Sequence, residues 1–475
     1  MSWAARQCAR HTAQHAAKQP ACPWAVRTAR TTLLAQHGPH VHQVRSMQHE
    51  PRLQHGSDAR GTVIAASARA GAAWGQATTS QQQARCVRTG ATTAAAAAGG
   101  PDLSRLRGAH VAVLGGGVIG LATAVRLLQH GAAVTVVAHK LGGDTTTAGA
   151  AGLWGPYKLS ETSEEDVNRW AGATYRHLTD LLHTADAVPA GVAQVPVHWL
   201  HTELHGPQPW MHLVDHYAPL PAHQLARYNA HGLPGTPWVE GWYHESLICE
   251  GALYLQWLQQ VLEVLGGIIM VTPAPLASLS DVTDPKHQAT WTLAPPLPAS
   301  APRALLPAHP AAPRPRGPPF AFDALVNCAG LGAAQLVGDG RMKPIRGQVL
   351  RVEAPWVTAA YMAPELGLYI IPNRSTVVLG GTAQEGDWST DASEQDRARI
   401  WAGCTAMVPS LARAKVVRDW VGLRPGRSAV RVEAERAPAH GLPTVHNYGH
   451  GGAGLTLAWG CAEDSIRLLS DILSH

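Results

Sequence analysis

A glycine-rich segment near residue 115 has the residue types and spacing that hold the phosphates of a dinucleotide. The run from Gly115 to Gly120, Gly-Gly-Gly-Val-Ile-Gly, fits the pattern G-x-G-x-x-G. In this pattern Gly115 permits a tight turn, Gly117 lets the backbone approach a pyrophosphate, and Gly120 lets a helix pack closely on a strand. Amide groups and the dipole at the start of the following helix attract phosphate. The segment therefore predicts a dinucleotide site with Val118 and Ile119 among its contacts.

The elements around this segment are those of a β-α-β unit. Val111–Leu114 and Val134–Val137 are short apolar runs typical of buried strands. Between them, Ile119–His130 has apolar residues at helical spacing and ends before Gly131. Such a unit requires a parallel sheet, which predicts an α/β protein with a Rossmann-like domain.

The end of the second strand departs from the usual dinucleotide pattern. An acidic residue commonly stands there and binds the adenosine ribose, but this chain has His139 followed by Lys140. Either the ribose is bound more weakly or another group supplies the acceptor. Lys140 also leaves a 2′-phosphate, and hence NADP, open as an alternative.

Further patterns predict the rest of the fold. Residues 283–319 are dense in Pro, Ala and Arg, which predicts a surface insertion without helix or strand. Ser393 is a candidate N-cap. The predicted helices are Trp170–Ala185, Leu253–Leu265, Ser393–Met407 and Leu455–Leu473. The predicted strands are Ile268–Val271, Leu325–Cys328, Val349–Val352, and a hairpin of Tyr369–Ile371 with Val377–Gly380.

Charge and hydropathy exclude two classes of protein. Residues 1–100 carry eleven Lys and Arg residues against two acidic residues, compared with 38 and 33 in the whole chain. The remainder is therefore mildly acidic, which argues against nucleic-acid binding. No apolar run is long enough for a transmembrane helix.

The N-terminal segment, residues 1–105, is rich in Arg and poor in acidic residues, which is typical of an organelle transit peptide; a disordered extension is the alternative. We expect a plastid or a mitochondrion. A peroxisome stays open, although the final Leu473-Ser474-His475 is not a peroxisomal signal. The chain has seven Cys and lacks Cys-x-x-Cys and His-Glu-x-x-His spacing, so we expect reduced thiols, no secretion and no metal site.

Several blocks of sequence along residues 109–475 resemble the D-amino-acid oxidase and D-aspartate oxidase family of FAD-dependent oxidases. Their order and approximate spacing fit the family except at the 283–319 insertion, and the His-Asn-Tyr-Gly block at 446–449 is highly specific. The matching blocks are 144–147, 150–157, 245–248, 254–258, 326–330, 344–349, 369–372, 379–382, 386–388, 422–425, 446–456 and 459–460.

The resemblance implies a discontinuous, Rossmann-like FAD-binding domain and a substrate-binding domain built on a mixed or antiparallel sheet. The expected fold class is therefore α/β for the FAD-binding domain and α+β for the two domains together. We expect residues 108–160, 245–345 and 420–475 in the first domain and residues 165–244 and 346–419 in the second. The resemblance also implies oxidative deamination: hydride passes from a D-amino acid to flavin N5, the imino acid hydrolyses to a 2-oxo acid and ammonia, and oxygen becomes hydrogen peroxide. The partners are then a D-amino acid and oxygen, and a homodimer is common in the family.

The same resemblance assigns the site. Arg424 matches the arginine that grips the substrate carboxylate through two parallel bonds, Tyr369 matches a tyrosine that helps to hold it, and the carbonyl of Gly452 accepts from the substrate amine. The dipole of the helix that begins near Leu455 stabilises negative charge on the reduced ring. The implied contacts to flavin and pyrophosphate are Thr145, Thr146, Thr147, Ala151, Gly152, Leu153, Gly451, Gly452, Ala453, Gly454, Leu455 and Thr456.

Substrate preference follows from positions where aspartate-type members carry cations. Ala383 stands where an arginine follows Gly-Gly-Thr, Tyr157 stands where they have a histidine, and Glu385 adds negative charge. A second carboxylate would be desolvated without a cation, so we expect neutral or basic D-amino acids. Gly155 replaces a bulkier residue and widens the pocket.

The family's lid tyrosine has Glu365 at its candidate position, and the segment from Trp356 to Tyr369 is short. A shortened lid favours faster product release. Two alternatives within flavoenzymes are a D-aspartate oxidase and a glycine- or sarcosine-type oxidase, which shares Gly-Leu-Arg-Pro. An alternative of another class is a catalytically silent protein that binds FAD or NADP.

Overall fold

A computed structural model describes residues 102–157, 159, 161–233, 235–297, 317–436 and 438–473. Apart from residues 102–105, the expected N-terminal extension lies outside the described residues. The packed core begins earlier in the chain than the first strand, because Leu106 is fully buried.

The described part of the chain contains both helices and strands. The helices are α1 (Val118–Gln129), α2 (Thr146–Gly149), α3 (Glu164–Leu182), α4 (Ala222–His231), α5 (Gly251–Val264), α6 (Pro285–Gln288), α7 (Ala333–Leu336), α8 (Glu394–Met407) and α9 (Gly454–Ile472). The strands are β1 (His110–Leu114), β2 (Ala133–Ala138), β3 (Val192–His201), β4 (Asp215–Pro219), β5 (Glu240–Cys249), β6 (Ile268–Val271), β7 (Thr292–Leu293), β8 (Ala324–Asn327), β9 (Lys343–Glu353), β10 (Ala360–Ala363), β11 (Leu368–Pro372), β12 (Val377–Gly380), β13 (Gln384–Glu385), β14 (Lys415–Gly426), β15 (Arg431–Glu435) and β16 (Thr444–Tyr448).

The first sheet contains the predicted β-α-β unit. Its seven strands run in the order β15-β16-β8-β1-β2-β6-β7, and the five central strands are mutually parallel. Helix α1 joins β1 to β2 and packs against α5 and α9. Its end is set by Gly131, whose φ of 85° is in the left-handed region. The prediction of a Rossmann-like parallel sheet is confirmed.

The second sheet has nine strands and is mixed, as expected. Its order is β13-β9-β12-β11-β10-β3-β5-β4, with β14 paired to β9. Strands β10 and β3 are parallel, whereas the other pairs are antiparallel. The predicted hairpin of β11 and β12 is confirmed. The long strand β14 pairs with β9 over almost its whole length.

The strands of the second sheet run across the domain boundaries expected from the sequence. Residue 245 lies inside β5, residues 345 and 346 lie inside β9, and residue 420 lies inside β14. Each strand is continuous and belongs to the second sheet over its whole length. Both sheets belong to one compact unit of the chain.

Three predicted segments differ from the structure, and the first is the strand predicted at Val349–Val352, which is part of the longer strand β9. The helix predicted from Trp170 begins at Glu164, because the Ser163 side chain accepts a hydrogen bond from the Asp166 amide and caps the first turn. The 283–319 segment is not entirely without structure, since it contains α6 and β7 in its described part. Pro285 occupies the first turn of α6, where the missing N–H is tolerated.

The cysteines of the described ranges are all free and buried: Cys249, Cys328, Cys404 and Cys461. This agrees with the reduced thiols expected from the sequence. No helix in the described ranges combines the length and the apolar character needed to cross a membrane.

Helix α8 provides a test of the capping interaction that anchors it beside β9. The Ser393 side chain accepts from the Asp396 amide at 3.3 Å, and Ser393→Ala removes this acceptor. We expect the free energy of unfolding to fall by about 1 kcal/mol, measured by chemical denaturation. Ser375→Ala, at an exposed serine outside this cap, is the control and should lose less stability; equal losses in both variants would contradict the capping role.

Candidate active site

One large cavity, of about 910 Å³, is lined by residues of both sheets. The first sheet contributes the carboxyl ends of β1, β2 and β8, which is where ligands bind in open α/β sheets. The second sheet contributes residues of β9, β11 and β14. The cavity therefore extends from the glycine fingerprint to Tyr369 and Arg424.

The fingerprint has the close packing that its spacing predicts. A Cβ on Gly120 would lie 2.0 Å from the carbonyl oxygen of Gly115, so only glycine fits there. At Gly117 the nearest atom to a Cβ is the Thr147 hydroxyl at 3.5 Å, which leaves this backbone open towards the cavity. Thr147 also accepts from the amide of Val118 at 3.3 Å.

Two helix N-termini meet at the cavity. Helix α1 begins after Gly117 and α9 begins after Ala453, and neither capping residue provides a side-chain hydrogen bond. The two starts are neighbours, because a Cβ on Gly454 would lie 3.8 Å from a methyl group of Val118. Their first-turn amides and positive dipole ends favour anionic groups at this position.

The segment 145–153 follows the cavity and is fastened at three points. The hydroxyl of Thr146 donates to the carbonyl of Leu423 at 3.0 Å. The Asn373 side chain donates to the carbonyl of Ala151 at 2.9 Å, and the carbonyl of Gly152 accepts from a β5 amide at 2.7 Å. This segment is therefore held in place by strands of the second sheet and by the residue that follows β11.

Most of the predicted cofactor contacts line the cavity, and two do not. Gly120 lies behind the fingerprint, where it serves packing, and Ala453 is buried as the N-cap of α9. Thr456 lines the cavity, but its hydroxyl already bonds the backbone of Gly155 in both directions. The predicted residues that line it are Gly115, Gly117, Val118, Ile119, Thr145, Thr146, Thr147, Ala151, Gly152, Leu153, Gly451, Gly452, Gly454, Leu455 and Thr456.

The adenosine end has the unusual residues noted in the sequence. His139 and Lys140 both line the cavity, and His139 Nδ1 lies 3.2 Å from the carbonyl oxygen of Thr272. Asp144 is the one acidic side chain among the described residues that line the cavity. It is therefore the candidate for the ribose acceptor that His139 does not provide.

Arg424 and Tyr369 meet at the opposite end of the cavity, and each side chain packs against the backbone of a glycine. A Cβ on Gly347, in the neighbouring strand β9, would lie 2.2 Å from the Arg424 guanidinium. A Cβ on Gly380 would lie 2.0 Å from the ring of Tyr369. Arg424 Nη1 donates to the carbonyl of Thr382 at 3.0 Å, which fixes the guanidinium. Burial raises the pKa of the Tyr369 hydroxyl, while the adjacent Arg424 acts to lower it.

Gly452 and Tyr157 complete this end of the cavity. Gly452 is exposed to the cavity, and a Cβ there would lie 2.4 Å from the Tyr157 ring. The loop is tied to β14, because the Gly451 amide donates to the carbonyl of Pro425 at 2.9 Å. The structure thus brings together all three predicted catalytic residues, Arg424, Tyr369 and Gly452.

Several lining residues were not identified from the sequence. Trp420 is held between two glycines, since a Cβ on Gly149 or on Gly422 would lie 1.9 or 2.0 Å from its ring. Trp199 donates to His244 at 3.0 Å, and both face the cavity. The spacing Trp-x-Gly at 420–422 was the available signal, but Gly149 joins it only in the folded chain. Met362 and the exposed Trp388 also line the cavity.

Three lining residues have buried polar atoms without a hydrogen-bond partner in the described structure: His450 Nε2, Asn447 Oδ1 and Trp154 Nε1. Burial lowers the pKa of His450 to about 3, so this imidazole is neutral. Together with the open backbone at Gly117 and the two helix N-termini, these groups fit a bound cofactor with phosphates and a polar ring.

The residues that the sequence linked to specificity lie at different places. Ala383 and Glu385 are exposed and are not among the described lining residues, and the carboxylate of Glu385 lies 2.6 Å from Lys343 Nζ. Gly155 does line the cavity, and a Cβ there would have no neighbour within 4 Å. Glu365 lies in the tight turn between β10 and β11 and contacts two histidines.

A parallel-sheet nucleotide fold with an arginine and a tyrosine at the far end of one cavity is the arrangement of a dinucleotide-dependent enzyme. Residues 110–468 match the family described as FAD dependent oxidoreductase. The chain belongs to this family, and FAD is its cofactor.

Its relatives and structural neighbours agree with this assignment. Human D-aspartate oxidase is 34% identical over 370 residues, covering 76% of this chain and 95% of that protein. D-amino-acid oxidase of Streptomyces coelicolor is 33% identical, covering 78% and 99%. Glycine oxidase of Bacillus cereus has a similar structure, with a TM-score of 0.57, 16% identity and coverage of 76% and 95%, which shows a shared fold.

Neutral buried His450 makes stability depend on pH. The unfolded chain takes up a proton near the ordinary pKa of 6.5, whereas the folded chain does not do so until pH about 3. The contribution of His450 to the free energy of unfolding is therefore greatest above pH 6.5 and decreases as the pH falls below that value. Between pH 7.5 and pH 5 we expect this residue to cost roughly 2 kcal/mol.

Denaturation at the two pH values checks this expectation. The decrease should be smaller in His450→Gln than in the native protein, and the exposed His223→Gln should not change it. Buried His177 and His244, whose pKa values burial lowers to about 3 and about 4, maintain part of the dependence. An unchanged decrease in His450→Gln would show that His450 is not buried in the neutral form.

Proposed function

We propose that this flavoenzyme oxidises neutral D-amino acids to 2-oxo acids and ammonia, with oxygen as the electron acceptor and hydrogen peroxide as the second product. The observation that carries the proposal is the meeting of Arg424, Tyr369 and the exposed Gly452 backbone at one end of the cofactor cavity. An amino acid needs such a set: a cation for its carboxylate and a carbonyl for its amine.

Arg424 binds and orients the substrate carboxylate. A guanidinium has five N–H donors, and the Thr382 bond fixes the group while occupying one of them. Tyr369 adds its hydroxyl, which remains protonated at neutral pH because burial raises its pKa. A substrate held by two such groups has its α-carbon in a fixed position, which supplies the orientation that the reaction requires.

Gly452 and α9 act on the amine and on developing charge. The carbonyl of Gly452 accepts a hydrogen bond from the substrate amine. When bound, FAD accepts the electron pair of the substrate Cα–H bond. The positive end of the α9 dipole faces the cavity and stabilises negative charge there.

The side-chain pocket is aromatic and lacks strong charge. Tyr157, Trp199, His244, Met362 and Trp388 line the cavity, and burial lowers the pKa of His244 to about 4, so it is neutral. Apolar and aromatic substrate side chains fit these walls. Basic side chains, which the sequence also led us to expect, would meet no carboxylate among these residues, so we place them second.

D-Aspartate is a further candidate substrate, because human D-aspartate oxidase is among the relatives. The described lining residues include one arginine, Arg424, and one lysine, Lys140, which lies at the adenosine end. A second carboxylate would therefore be desolvated without a cation. This disfavours D-aspartate as the preferred substrate.

The proposal is tested by mixing the purified holoprotein with D-alanine under anaerobic conditions and following the flavin absorption. We expect bleaching with D-alanine, none with L-alanine, and peroxide release after air is admitted. Gly347→Ala should reduce kcat/KM for D-alanine at least about tenfold, because its Cβ displaces Arg424. Gly340→Ala, whose Cβ meets nothing within 4 Å and which does not line the cavity, is the matched control. A holoprotein that no neutral D-amino acid bleaches would refute the proposal.

The specificity argument is tested at Ala383. This residue follows Thr382, whose carbonyl holds Arg424, so a long cationic side chain here would start beside the carboxylate site. In Ala383→Arg we expect kcat/KM for D-aspartate, relative to D-alanine, to rise about tenfold or more. Ala383→Gln, of similar polarity without the charge, should not change the ratio. If the ratio is the same in all three proteins, position 383 does not select the substrate.

A further inference from the structure

Two histidines and a glutamate converge outside the residues that line the cavity. His201 ends β3, His205 lies in the loop after it, and Glu365 lies in the turn between β10 and β11. His201 Nδ1 is 2.7 Å and His205 Nε2 is 2.8 Å from the same oxygen, Oε1 of Glu365. One potential ligand atom from each residue lies within 4.8 Å of the other two.

We propose that His201, His205 and Glu365 form a binding site for a divalent transition-metal cation of the zinc type. Zn²⁺ prefers imidazole nitrogen and carboxylate oxygen, and three such ligands leave one position for water. This departs from the sequence expectation of no metal site, because the three residues do not form a local motif and meet only through the pairing of the β3 and β10 strands.

The backbone that carries these ligands is held by a second carboxylate. Glu240 lies opposite His201 in the β3–β5 pair, and its side chain accepts from the amides of His205 at 2.8 Å and Gly206 at 3.1 Å. The other oxygen of Glu365 accepts from the Thr202 amide at 3.4 Å. Ligands fixed in this way lose little freedom when an ion binds.

Burial of the cluster is graded, which suits a binding site with one open side. The His201 side chain is 1% exposed, and its Nε2 has no partner in the described structure. Glu365 is 16% and His205 is 42% exposed. A cation can therefore enter past His205 and be held between two largely buried ligands.

The proposed site is next to the substrate end of the cavity. Trp199 stacks on His201, with ring centres 5.9 Å apart and planes at 10°, and Trp199 lines the cavity. Glu365 belongs to the turn that leads into β11, the strand of Tyr369. A bound ion would fasten this turn to the end of β3 and slow its movement, so we expect it to change the rate at which substrate enters or product leaves.

Calorimetric titration of the untagged, metal-free holoprotein with Zn²⁺ tests binding without reference to catalysis. The chain has 26 His, so weak binding elsewhere is expected, and the result to seek is one tight equivalent per chain. Cobalt(II) is the second probe, because its absorption at wavelengths beyond the flavin bands reports a nitrogen- and oxygen-ligated site.

Three variants locate the site. His205→Ala and Glu365→Gln should each abolish the tight equivalent, and Glu240→Gln should weaken it by about 10-fold or more through the backbone it holds. His223→Ala removes an exposed histidine of α4 and should leave the titration unchanged. Retained flavin absorption in each variant shows that the fold is intact, and His205 is exposed enough to be replaced without a buried cavity.

The outcomes separate clearly. Absence of a tight equivalent in the native protein, or its survival in both His205→Ala and Glu365→Gln, would mean a hydrogen-bonded cluster only and would overturn the proposal. The effect on turnover rests on the proposed oxidase function: Zn²⁺ should change kcat or KM for D-alanine in the native protein and not in His205→Ala. If Zn²⁺ binds tightly but changes kcat and KM equally in both proteins, or in neither, the proposed effect on the cavity is refuted. The metal site itself would still be supported by the titration.

Discussion

The cavity depends on the close packing of large side chains against the backbone of glycines. The guanidinium of Arg424 lies on Gly347, the ring of Tyr369 lies on Gly380, and the ring of Trp420 lies on Gly422. In each case a single Cβ would occupy the space that the side chain fills. Because interiors are closely packed, the position of these groups is set by the absence of an atom on the neighbouring strand.

Positively charged or polarised groups also stand at both ends of the cavity and near its middle. The N-termini of α1 and α9 are neighbours, Arg424 stands at one end of the cavity, and Lys140 stands at the other. Oriented dipoles and a fixed cation in a partly enclosed cleft act together on anions. The same arrangement supports the proposed binding of a pyrophosphate and of a substrate carboxylate in one cavity.

Local patterns predicted some parts of the structure well and others poorly. The β1-α1-β2 unit was accessible because its apolar spacing and glycines lie within one short segment, and Ser393 was identified as a cap by the same local reasoning. Strand β14 was missed because much of it is exposed or half-buried and polar. The family resemblance identified Arg424 and Tyr369, but their support by Gly347 and Gly380 comes from strand pairing, which no local pattern contains.

The burial of the four described cysteines has a chemical consequence for the oxidase function proposed above, whose second product is an oxidant. Peroxide attacks the thiolate far faster than the thiol, and burial raises the pKa of Cys328 and of Cys404 to about 12. Cys328 lines the cavity itself, yet its sulfur stays protonated at neutral pH. Oxidative damage during repeated turnover would then affect thioethers such as Met362 first. Met362 lines the cavity, and its sulfur carries no ionisable proton, so burial does not lower its reactivity through a raised pKa.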